Sequence, residues 1–496
     1  MTSLTTNGAT SFQTSNNNIV DFFTMFLRGV ENEVIDKYMT LCWQQDPYKT
    51  VAVIFNARDR ENGKKEKNVS NRAMIWLRKH KFATYQKNIL KYISKYGRWK
   101  DVLYIASKIP EAQHSYEIKL VAYQLQKDKN QYEQNKSVSL CAKWASSEND
   151  KFDLHHQFAH KIAQELFPDQ ENKMQLYRRE YLVPLRKHIN IVENYMSSNK
   201  WTDIAYDKVP AVASKRLRNA FMKHDEKGYT HFLNQVAKGE KKMKVTGLLP
   251  HELVAFYLQN SDKLDETIEL QWKAIVENVK SQGSFKNMLA VVDISGSMYS
   301  GAGNVPPIHA SIALGLLISE CSEGIFHKKM LPFSMNPSFF DVKGDTLFEQ
   351  ITYLLKKMDA GFNTNFEAVF DLLLNTGKLF HIPPENMPDK LIVFSDMQFD
   401  EASGESDRIS ESTLHDFIMQ KYADTPYKPP KLIYWNLNAT NDGTFPVKAL
   451  SNDVAMISGF SEMLLKVFTN NDNLTPEAIV YEILRPYETE VEIADL

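Results

Sequence analysis

The chain has 496 residues, a formal net charge of −2 and 43% apolar residues, and a chain of this length is too long for a single hydrophobic core. No apolar run is long enough to cross a bilayer, and the N-terminal residues lack the basic-then-apolar pattern of a secretory signal. We therefore expect an intracellular, cytoplasmic protein with no membrane partner. Three widely separated cysteines exclude a secreted disulfide framework and a C-x-x-C zinc site; they are Cys42, Cys141 and Cys321.

The charge is divided unevenly along the chain. Residues 283–496 contain 15 basic and 29 acidic residues, so they carry a balance of −14 and residues 1–282 carry +12. A small polar stretch at residues 281–284 marks the change, and we place a domain boundary there. The predicted order is a disordered tail rich in Ser, Thr and Asn (1–18), a basic α-helical domain (19–282), an α/β domain (283–472), and a final helix with an acidic tail (473–496).

Helical periodicity runs through almost the whole of residues 19–280. The predicted helices span residues 20–28, 32–45, 69–80, 82–96, 99–107, 114–127, 154–166, 174–185, 189–197, 214–224, 228–238 and 250–259. Consecutive short helices joined by short turns favour an α-solenoid of the HEAT type.

Two segments of this half are dense in basic residues. Residues 56–100 contain 14 basic and three acidic residues, and residues 206–245 contain ten and four. Because basic side chains neutralise phosphates, we predict nucleic-acid contacts for Arg58, Arg60, Lys64, Lys65, Lys67, Lys215, Arg216, Arg218, Lys241 and Lys242. The alternative is a solvated lysine-rich surface. The interleaved aromatic residues are expected to pack inside the helices rather than stack on bases; they are Trp76, Phe82, Tyr85, Tyr92, Tyr96 and Trp99.

In the acidic half, apolar runs that are typical of buried strands alternate with amphipathic segments. The predicted strands are residues 288–292, 324–333, 338–342, 391–395, 431–438 and 454–457, and the predicted helices are residues 305–323, 346–358, 366–379, 410–422, 461–469 and 475–484. This alternation predicts a doubly wound, Rossmann-like α/β sheet.

Oxygen-bearing side chains follow two of these strands. The run 288–292 ends in Asp293, Ser295 and Ser297, a D-x-S-x-S spacing that taken alone is equally typical of a helix-capping turn. Asp396 closes the run 391–395, and Thr364 lies between them at a loop-to-helix junction. Hard oxygen ligands at the carboxyl ends of strands suit a small divalent cation such as Mg²⁺.

In this order the three segments resemble the metal-ion-dependent adhesion site of the von Willebrand factor A (vWA) domain. The resemblance implies a vWA fold in which Mg²⁺, or another divalent cation such as Mn²⁺, is held by Asp293, Ser295, Ser297, Thr364 and Asp396. In that family the counterpart of Asp396 often acts through a water. Two departures concern loop shape: Phe362 and Asn363 precede the threonine where a glycine is common, and Met397 replaces the usual glycine after the aspartate.

Nearly the whole chain also resembles the family known as domain of unknown function 2828. The segments that carry this resemblance are YGRWKD (96–101), LCAKWASSEND (140–150), PLRKHINIVENYMSSNKW (184–201) and SDMQFD (395–400). More remotely, the architecture is similar to the TROVE-plus-vWA arrangement of the Ro ribonucleoprotein autoantigens. That likeness implies an arch of helices that binds small or misfolded RNA.

No catalytic set of residues is readable near the predicted metal site, whether Ser-His-Asp, zinc ligands or paired acid and base carboxylates. We therefore expect a non-enzymatic interaction protein: an RNA-binding scaffold whose vWA metal site binds an acidic group of a partner protein. The alternative is a protein–protein scaffold without nucleic acid. The sequence indicates no oligomeric state.

Overall fold

The computed structural model describes residues 2–4, 10–189, 191–260, 262–301, 305–332, 337–357, 366–397, 420–423, 425–439, 445–469, 471 and 474–495. The chain forms two compact units. The first comprises Met1–Val69, Pro210–Arg216 and Leu233–Val491, and the second comprises Ser70–Val209, Leu217–Phe232 and Glu492–Leu496. The fold is therefore a multidomain combination of α and α/β structure, as predicted. Within the described residues, no helix combines the length and apolar content that a bilayer span requires.

Helices dominate the N-terminal half and recur between the later strands. In chain order they are α1 (Asn18–Met25), α2 (Asn32–Gln45), α3 (Pro47–Arg58), α4 (Lys67–His80), α5 (Phe82–Lys91), α6 (Trp99–Ala106), α7 (Ser115–Glu133), α8 (Cys141–Trp144), α9 (Lys151–His156), α10 (Phe158–Leu166), α11 (Lys173–Tyr177), α12 (Val183–His188), α13 (Val192–Ser197), α14 (Ala211–His224), α15 (Glu226–Ala237), α16 (Pro250–Gln259), α17 (Glu266–Lys280), α18 (Pro307–Cys321), α19 (Leu347–Lys357), α20 (Phe366–Leu379) and α21 (Pro476–Glu488).

The strands form two sheets. They are β1 (Thr2–Leu4), β2 (Thr10–Phe12), β3 (Met288–Val292), β4 (Lys329–Pro332), β5 (Phe340–Asp341), β6 (Lys390–Ser395), β7 (Lys431–Asn436) and β8 (Val454–Ser458). Strands β1 and β2 make a two-stranded antiparallel sheet. The other six form a sheet of order β5-β4-β3-β6-β7-β8, in which every pair is parallel except β4 and β5.

The order of the six-stranded sheet places a switch point between β3 and β6. From β3 the chain goes first to β4 on one side, and it later returns to β6 on the other side. Strands β3, β6 and β8 are buried along their whole length, which explains why their sequences are continuous apolar runs. In open sheets of this kind the connections on either side of a switch point diverge, and they leave a crevice at the carboxyl ends of the two strands.

Helix α18 packs directly against β3. It is buried almost all round, so it shows no amphipathic stripe. Gly315 permits the close approach, because a Cβ atom there would lie 2.3 Å from the Cγ2 atom of Val292. Helices α16 and α17 pack on α18, and α1 and α21 pack on β8, so helices from both ends of the chain complete the core around the sheet.

Most of the predicted elements are confirmed within a few residues, and the exceptions are local. Helices α3, α8 and α17 and strands β1 and β2 were not predicted. The predicted helix 154–166 is two helices, α9 and α10, because Gln157 adopts a left-handed conformation with φ 55°. The predicted strand 324–333 is a 3₁₀ turn (Gly324–Phe326) followed by β4, and the predicted helix 461–469 is a 3₁₀ helix (Glu462–Phe468). The predicted helix 410–422 lies largely outside the described residues.

The prediction of a disordered tail through residue 18 is wrong for its second half. The backbone N–H groups of Phe12 and Phe445 donate to each other's carbonyl oxygens at 2.8 and 2.9 Å. Asn17 caps α1 through its Oδ1 atom, and its Nδ2 atom donates to Glu477 Oε2 at 2.7 Å and Tyr481 OH at 2.9 Å. The polar composition of residues 1–18 suggested disorder, but the Asn17 side chain caps α1 and donates hydrogen bonds to side chains of α21.

The loop between α3 and α4 folds back onto α3. Lys64 N donates to Asn56 O at 3.0 Å and Glu66 N donates to Ala57 O at 2.6 Å. Gly63 lies at the closest approach, because a Cβ atom there would be 2.0 Å from the Asn56 carbonyl oxygen. The loop is therefore a packed element of the first unit.

This packing corrects the prediction that Arg58, Lys64 and Lys65 contact phosphates. Arg58 is 3% exposed and Lys64 is fully buried. The Lys64 ammonium donates to the carbonyl oxygens of Phe23 and Phe26 and to Ser458 Oγ, and it lies over the Phe23 ring. Lys65 Nζ pairs with Glu462 Oε1 at 2.9 Å. The donors of Lys64 and Lys65 are used inside the unit and Arg58 is buried, so these three side chains are unavailable to a polyanion.

In the second unit, a buried ion pair joins α4 to α7. Arg78 Nε lies 2.7 Å from Glu117 Oε1, and the Arg78 guanidinium lies 4.2 Å from the centroid of the Phe82 ring. The expectation that the aromatic residues pack inside the helices is confirmed for Trp76, Tyr85, Tyr92, Tyr96 and Trp99, all of which are buried. Phe82 is 38% exposed and covers Arg78 instead of a base.

The acidic segment 492–495 lies along α5. The Asn88 amide donates to Glu492 O at 2.6 Å and accepts from Glu492 N at 3.2 Å. Asp495 Oδ2 accepts from Thr84 N at 2.9 Å. Lys81, at the N-cap position of α5, makes no side-chain cap, so Asp495 satisfies an N–H group of the first turn from a distant part of the sequence.

The buried Lys64 generates a prediction about pH. Burial lowers the pKa of Lys64 to about 7, and the nearby charge of Glu66 opposes this shift. An unfolded lysine titrates near pH 10.4, so between these values the unfolded state binds more protons than the folded state. The Lys64 contribution to the free energy of unfolding should therefore rise with pH across this window, by ~1.4 kcal/mol per pH unit.

Urea unfolding of wild type and Lys64→Met across this range tests the prediction. The free energy of unfolding of wild type should increase relative to that of the variant as the pH rises above about 7. Lys67→Met, at an exposed lysine of the same region, is the matched control and should follow the wild-type profile. Parallel profiles for wild type and Lys64→Met would show that Lys64 is charged in both states.

Candidate metal centre

Two carboxylates meet at the switch point of the six-stranded sheet. Asp293 follows β3 and Asp396 follows β6, and these strands are parallel neighbours with Val292 beside Phe394. Asp293 N donates to Phe394 O at 3.0 Å, which continues the ladder into the turn. Asp293 is 0% exposed and Asp396 is 2% exposed. The sheet therefore brings together two acids that are about a hundred residues apart, as the sequence predicted.

Hydroxyl groups surround Asp293. Ser295 Oγ and Ser295 N donate to Asp293 Oδ1 at 2.6 and 2.9 Å. Ser395 Oγ donates to Asp293 Oδ2 at 2.7 Å. Ser297 Oγ lies 3.1 Å from Ser295 Oγ, on the exposed side of a short 3₁₀ turn (Gly296–Tyr299). The three oxygen ligands predicted from the D-x-S-x-S motif thus form one contiguous group.

The electrostatics of this group favour a bound cation. Burial and, second to it, the negative charge of Asp396 raise the pKa of Asp293 to about 6, although the hydrogen bonds from Ser295 and Ser395 act to lower it. Like-charged carboxylates in a dry crevice repel each other, and a divalent cation between them would remove both the repulsion and the loss of solvation.

The donor set fits a hard cation. Carboxylate and hydroxyl oxygens are the ligands that Mg²⁺ accepts, and a hydroxyl that donates its hydrogen to a carboxylate keeps its lone pairs for a metal. Within the described residues, no cluster of three or more His, Cys, Asp or Glu side chains could hold an ion. Among the described residues, the candidate centre has two such side chains, Asp293 and Asp396, and its other oxygen donors are serines.

One predicted ligand, Thr364, lies outside the described residues. The structure therefore brings together Asp293, Ser295, Ser297 and Asp396, and leaves Thr364 as a prediction.

Met397 lies directly after Asp396, at the position where the vWA pattern usually has a glycine. Its φ is 65°, the left-handed region in which a glycine is free of strain and a methionine is not. The backbone after Asp396 thus keeps the conformation for which glycine is usual. Met397 is 4% exposed, so burial of its side chain offsets the strain.

Ser395 is a residue of the site that was not predicted. It is fully buried, donates to Asp293 Oδ2, and accepts from Met397 N at 3.1 Å. It joins the two carboxylate loops through one hydroxyl. A polar residue at the end of an apolar run, directly before the acid, was the available signal in the segment 391–396.

The remaining residues predicted to contact nucleic acid differ in exposure. Lys67, Arg216, Lys241 and Lys242 are exposed, whereas Arg60 and Arg218 are half-buried. Lys215 is also half-buried, and its Nζ atom donates to Glu252 O at 3.0 Å and Glu252 Oε2 at 3.1 Å. The exposed four remain candidates for phosphate contacts.

The chain belongs to the DUF2828 family, a domain of unknown function whose model matches residues 5–119 and 111–285. A second domain of unknown function, DUF7788, matches residues 287–492, which contain all five predicted metal ligands. Uncharacterized protein L728 of Acanthamoeba polyphaga mimivirus is 32% identical over 517 residues, which cover 98% of this chain and 87% of that protein. The DUF2828 resemblance is thus confirmed for residues 5–285, whereas the segment SDMQFD (395–400) lies in the part of the chain that the second model matches. The two models meet near the predicted boundary at 282, whereas the compact units interleave along the chain.

Ser395→Ala should destabilise the first unit by about 1–3 kcal/mol, because it leaves Asp293 Oδ2 and Met397 N without their buried partner. Urea unfolding measures the effect. Ser300→Ala is the control, because Ser300 is an exposed serine that follows the Gly296–Tyr299 turn. It should change the free energy of unfolding by less than about 0.5 kcal/mol. Equal stability of the two variants would contradict the linking role of Ser395.

Proposed function

We propose that this chain is a non-enzymatic interaction protein with a vWA-type, Mg²⁺-dependent site on its sheet and an RNA-binding surface on basic, HEAT-like helices. The observation that carries the first part is the meeting of Asp293 and Asp396 at the switch point, with the hydroxyls of Ser295 and Ser297 beside them.

The strand order supports a vWA-type domain. Numbered within the domain, the sheet runs 3-2-1-4-5-6 with its third strand antiparallel, and ligands of doubly wound sheets bind at the carboxyl ends of strands 1 and 4. Those two strands are β3 and β6. The sequence motif that resembles the vWA site lies at the carboxyl ends of β3 and β6. The topology of the sheet favours ligand binding at this same edge.

In this proposal Asp293, Ser295 and Ser297 hold the cation directly, and Asp396 acts directly or through a water. Thr364 is the fifth proposed ligand. Mg²⁺ keeps open or water-filled positions when the protein supplies few ligands, so an acidic group of a partner can complete the shell. The protein residues would hold the cation and exclude water from one side of it, and the proposed function is binding without a covalent step.

An apolar cavity of about 310 Å³ adjoins the same loop and supports a protein partner at this site. Ile294, which lies between two of the proposed ligands, lines it together with Tyr299 and Ile308. Tyr299 is 57% exposed. A partner that presents an acidic group beside an apolar side chain would satisfy both features.

The RNA-binding part of the proposal is supported by charge. Residues 1–282 carry a balance of +12, and Lys67, Arg216, Lys241 and Lys242 extend into solvent. The alternative, a protein–protein scaffold without nucleic acid, uses the same metal site and assigns the basic surface to acidic proteins. Crosslinking in cells followed by RNA sequencing separates the two: protein partners without RNA would favour the alternative.

The metal prediction is that Mg²⁺ stabilises the wild-type protein and not Asp293→Ala. At a hundredfold excess over Kd, a ligand that binds the folded state alone adds about 2.7 kcal/mol to the free energy of unfolding. Thermal unfolding with and without Mg²⁺, together with calorimetric titration, measures this effect.

Asp389→Ala is the matched control, because Asp389 precedes the other end of β6 and should leave Mg²⁺ uptake intact. Ser297→Ala is a second test in case Asp293→Ala fails to fold, since Ser297 is exposed and its loss should weaken binding without unfolding the sheet. Unchanged Mg²⁺ uptake in folded Asp293→Ala would refute the assignment.

The RNA prediction concerns salt. Replacing Arg216, Lys241 and Lys242 with glutamine should weaken binding of single-stranded RNA and flatten the dependence of log K on log salt by about 2, since each phosphate contact contributes about 0.7. Filter binding over a salt series measures the slope. Lys356→Gln with Lys357→Gln, two exposed lysines in the acidic half, is the control. A wild-type affinity for RNA that did not change over the salt series would contradict phosphate recognition.

A further inference from the structure

The second unit contains a cleft of about 840 Å³ between α6, α8, α9 and α12. This volume lies in the range of sites that bind small organic ligands or single nucleotide units. The cleft is clearly basic: two acidic residues, Asp150 and Glu193, line it with five basic ones, Lys100, Lys108, Lys143, Lys151 and Arg186. None of these was among the predicted nucleic-acid contacts.

Aromatic side chains lie directly beside these lysines. The Nζ atoms of Lys100 and Lys143 are 5.5 and 5.6 Å from the centroid of the Trp144 ring. Lys108 Nζ is 5.7 Å from the centroid of Tyr104. Both rings are half-buried, so part of each ring is accessible from the cleft. A flat apolar surface with ammonium groups beside it matches a ligand that carries an aromatic base and a phosphate.

The floor of the cleft is rigidly built. Arg186 donates from Nε to Ala142 O at 2.8 Å, from Nη1 to Ser147 Oγ at 2.9 Å and from Nη2 to Ala145 O at 2.9 Å. Three of the five N–H groups of this guanidinium are thereby used to fix the segment that carries Trp144. The cation is held in place before any ligand arrives, which reduces the entropy lost on binding.

The two acids reduce the positive charge of the cleft without cancelling it, because five basic and two acidic side chains leave a balance of +3. Asp150 caps α9, and its carboxylate accepts from Ser146 Oγ, Ser147 N, Phe152 N and Asp153 N. Glu193 lies 3.5 Å from Lys143. The positive field persists at His156 on the rim: burial lowers its pKa, and the charges of His114, His155, Lys161 and Lys108 lower it further.

We propose that this cleft binds a nucleotide unit of single-stranded RNA, with its base against Trp144 and its phosphates on the surrounding lysines. The inference rests on the proposed RNA binding and assigns it a site. Single strands are favoured over duplexes because only an unpaired base can stack on a side chain.

The test is fluorescence anisotropy of a labelled oligouridylate of about 12 nucleotides on the full-length chain. Trp144→Ala should lower the affinity about tenfold or more, because one base loses its stacking surface. Lys100→Gln with Lys108→Gln should weaken binding and flatten the salt dependence by about 1.4, the contribution of two phosphate contacts. A duplex of the same length should bind these variants and wild type alike.

The controls come from α7 in the same unit. Tyr123→Ala removes an aromatic side chain that is 65% exposed and lies outside the cleft, and Lys119→Gln with Lys127→Gln removes two exposed lysines. Neither should change the affinity. Thermal unfolding of each variant verifies that it is folded.

The outcomes separate this inference from the proposed function. If wild type binds the oligonucleotide and the cleft variants bind it equally well, the cleft assignment is overturned and RNA binding stands. If wild type does not bind at low salt, both are overturned. Uridine monophosphate is the second probe: weak competition supports a strand, and an affinity equal to that of the oligonucleotide overturns the strand in favour of a free nucleotide.

Discussion

Two carboxylates that share a dry crevice impose the main physical constraint on the sheet. The ionised form of Asp293 is disfavoured by burial and by the charge of Asp396, and three hydrogen bonds from two serines only partly compensate. Burying ions costs several kcal/mol each unless they are paired or coordinate a metal. If Asp293 served only to stabilise the fold, an apolar residue at this position would stabilise it equally well. The acids, the hydroxyls and the turn at Met397 are together more easily explained by a ligand.

The central strands could be predicted from the sequence because they are buried, and the same burial encloses the site at their carboxyl ends. A central parallel strand is covered on both faces, so β3, β6 and β7 appear in the sequence as uninterrupted apolar runs, and the acids that end two of them stand out. The pairing of β3 with β6 could not be derived from the runs themselves. The resemblance to a family implied only that Asp293 and Asp396 share one cation, and the register of Val292 beside Phe394 supplies the geometry.

Helix α3 could not be predicted from periodicity, because Thr50 through Arg58 are buried all round and leave no polar face. Its start was still marked by Asp46, whose side chain accepts from Lys49 N, and by Pro47 at the first position. Helix α17 had both signals, the cap at Asp265 and apolar residues at Ile268, Trp272 and Ile275, and could have been found.

Charge density proved a poor guide to the position of a basic surface. The segment around Lys64 is rich in basic residues, but Gly63 lets it turn back onto α3, and Lys64 and Lys65 donate to carbonyl oxygens and to Glu462 inside the unit. The cleft around Trp144 was not predicted as a basic site, because its lysines come from α6 and the turn after it, from α8 and from α9, which are adjacent only in the folded unit. Composition reports how much charge a region holds, whereas tertiary structure decides which charges meet.

The candidate metal centre depends on residues far outside the segment that contains its proposed ligands. The two family models divide the chain near residue 286, but α16 and α17 cover α18, which packs on β3, and α1 covers β8. Without these helices the outer surface of α18 would be exposed, and the burial that raises the pKa of Asp293 would lose its support. The proposed cation site is therefore supported by the first unit as a whole, including its N-terminal helices.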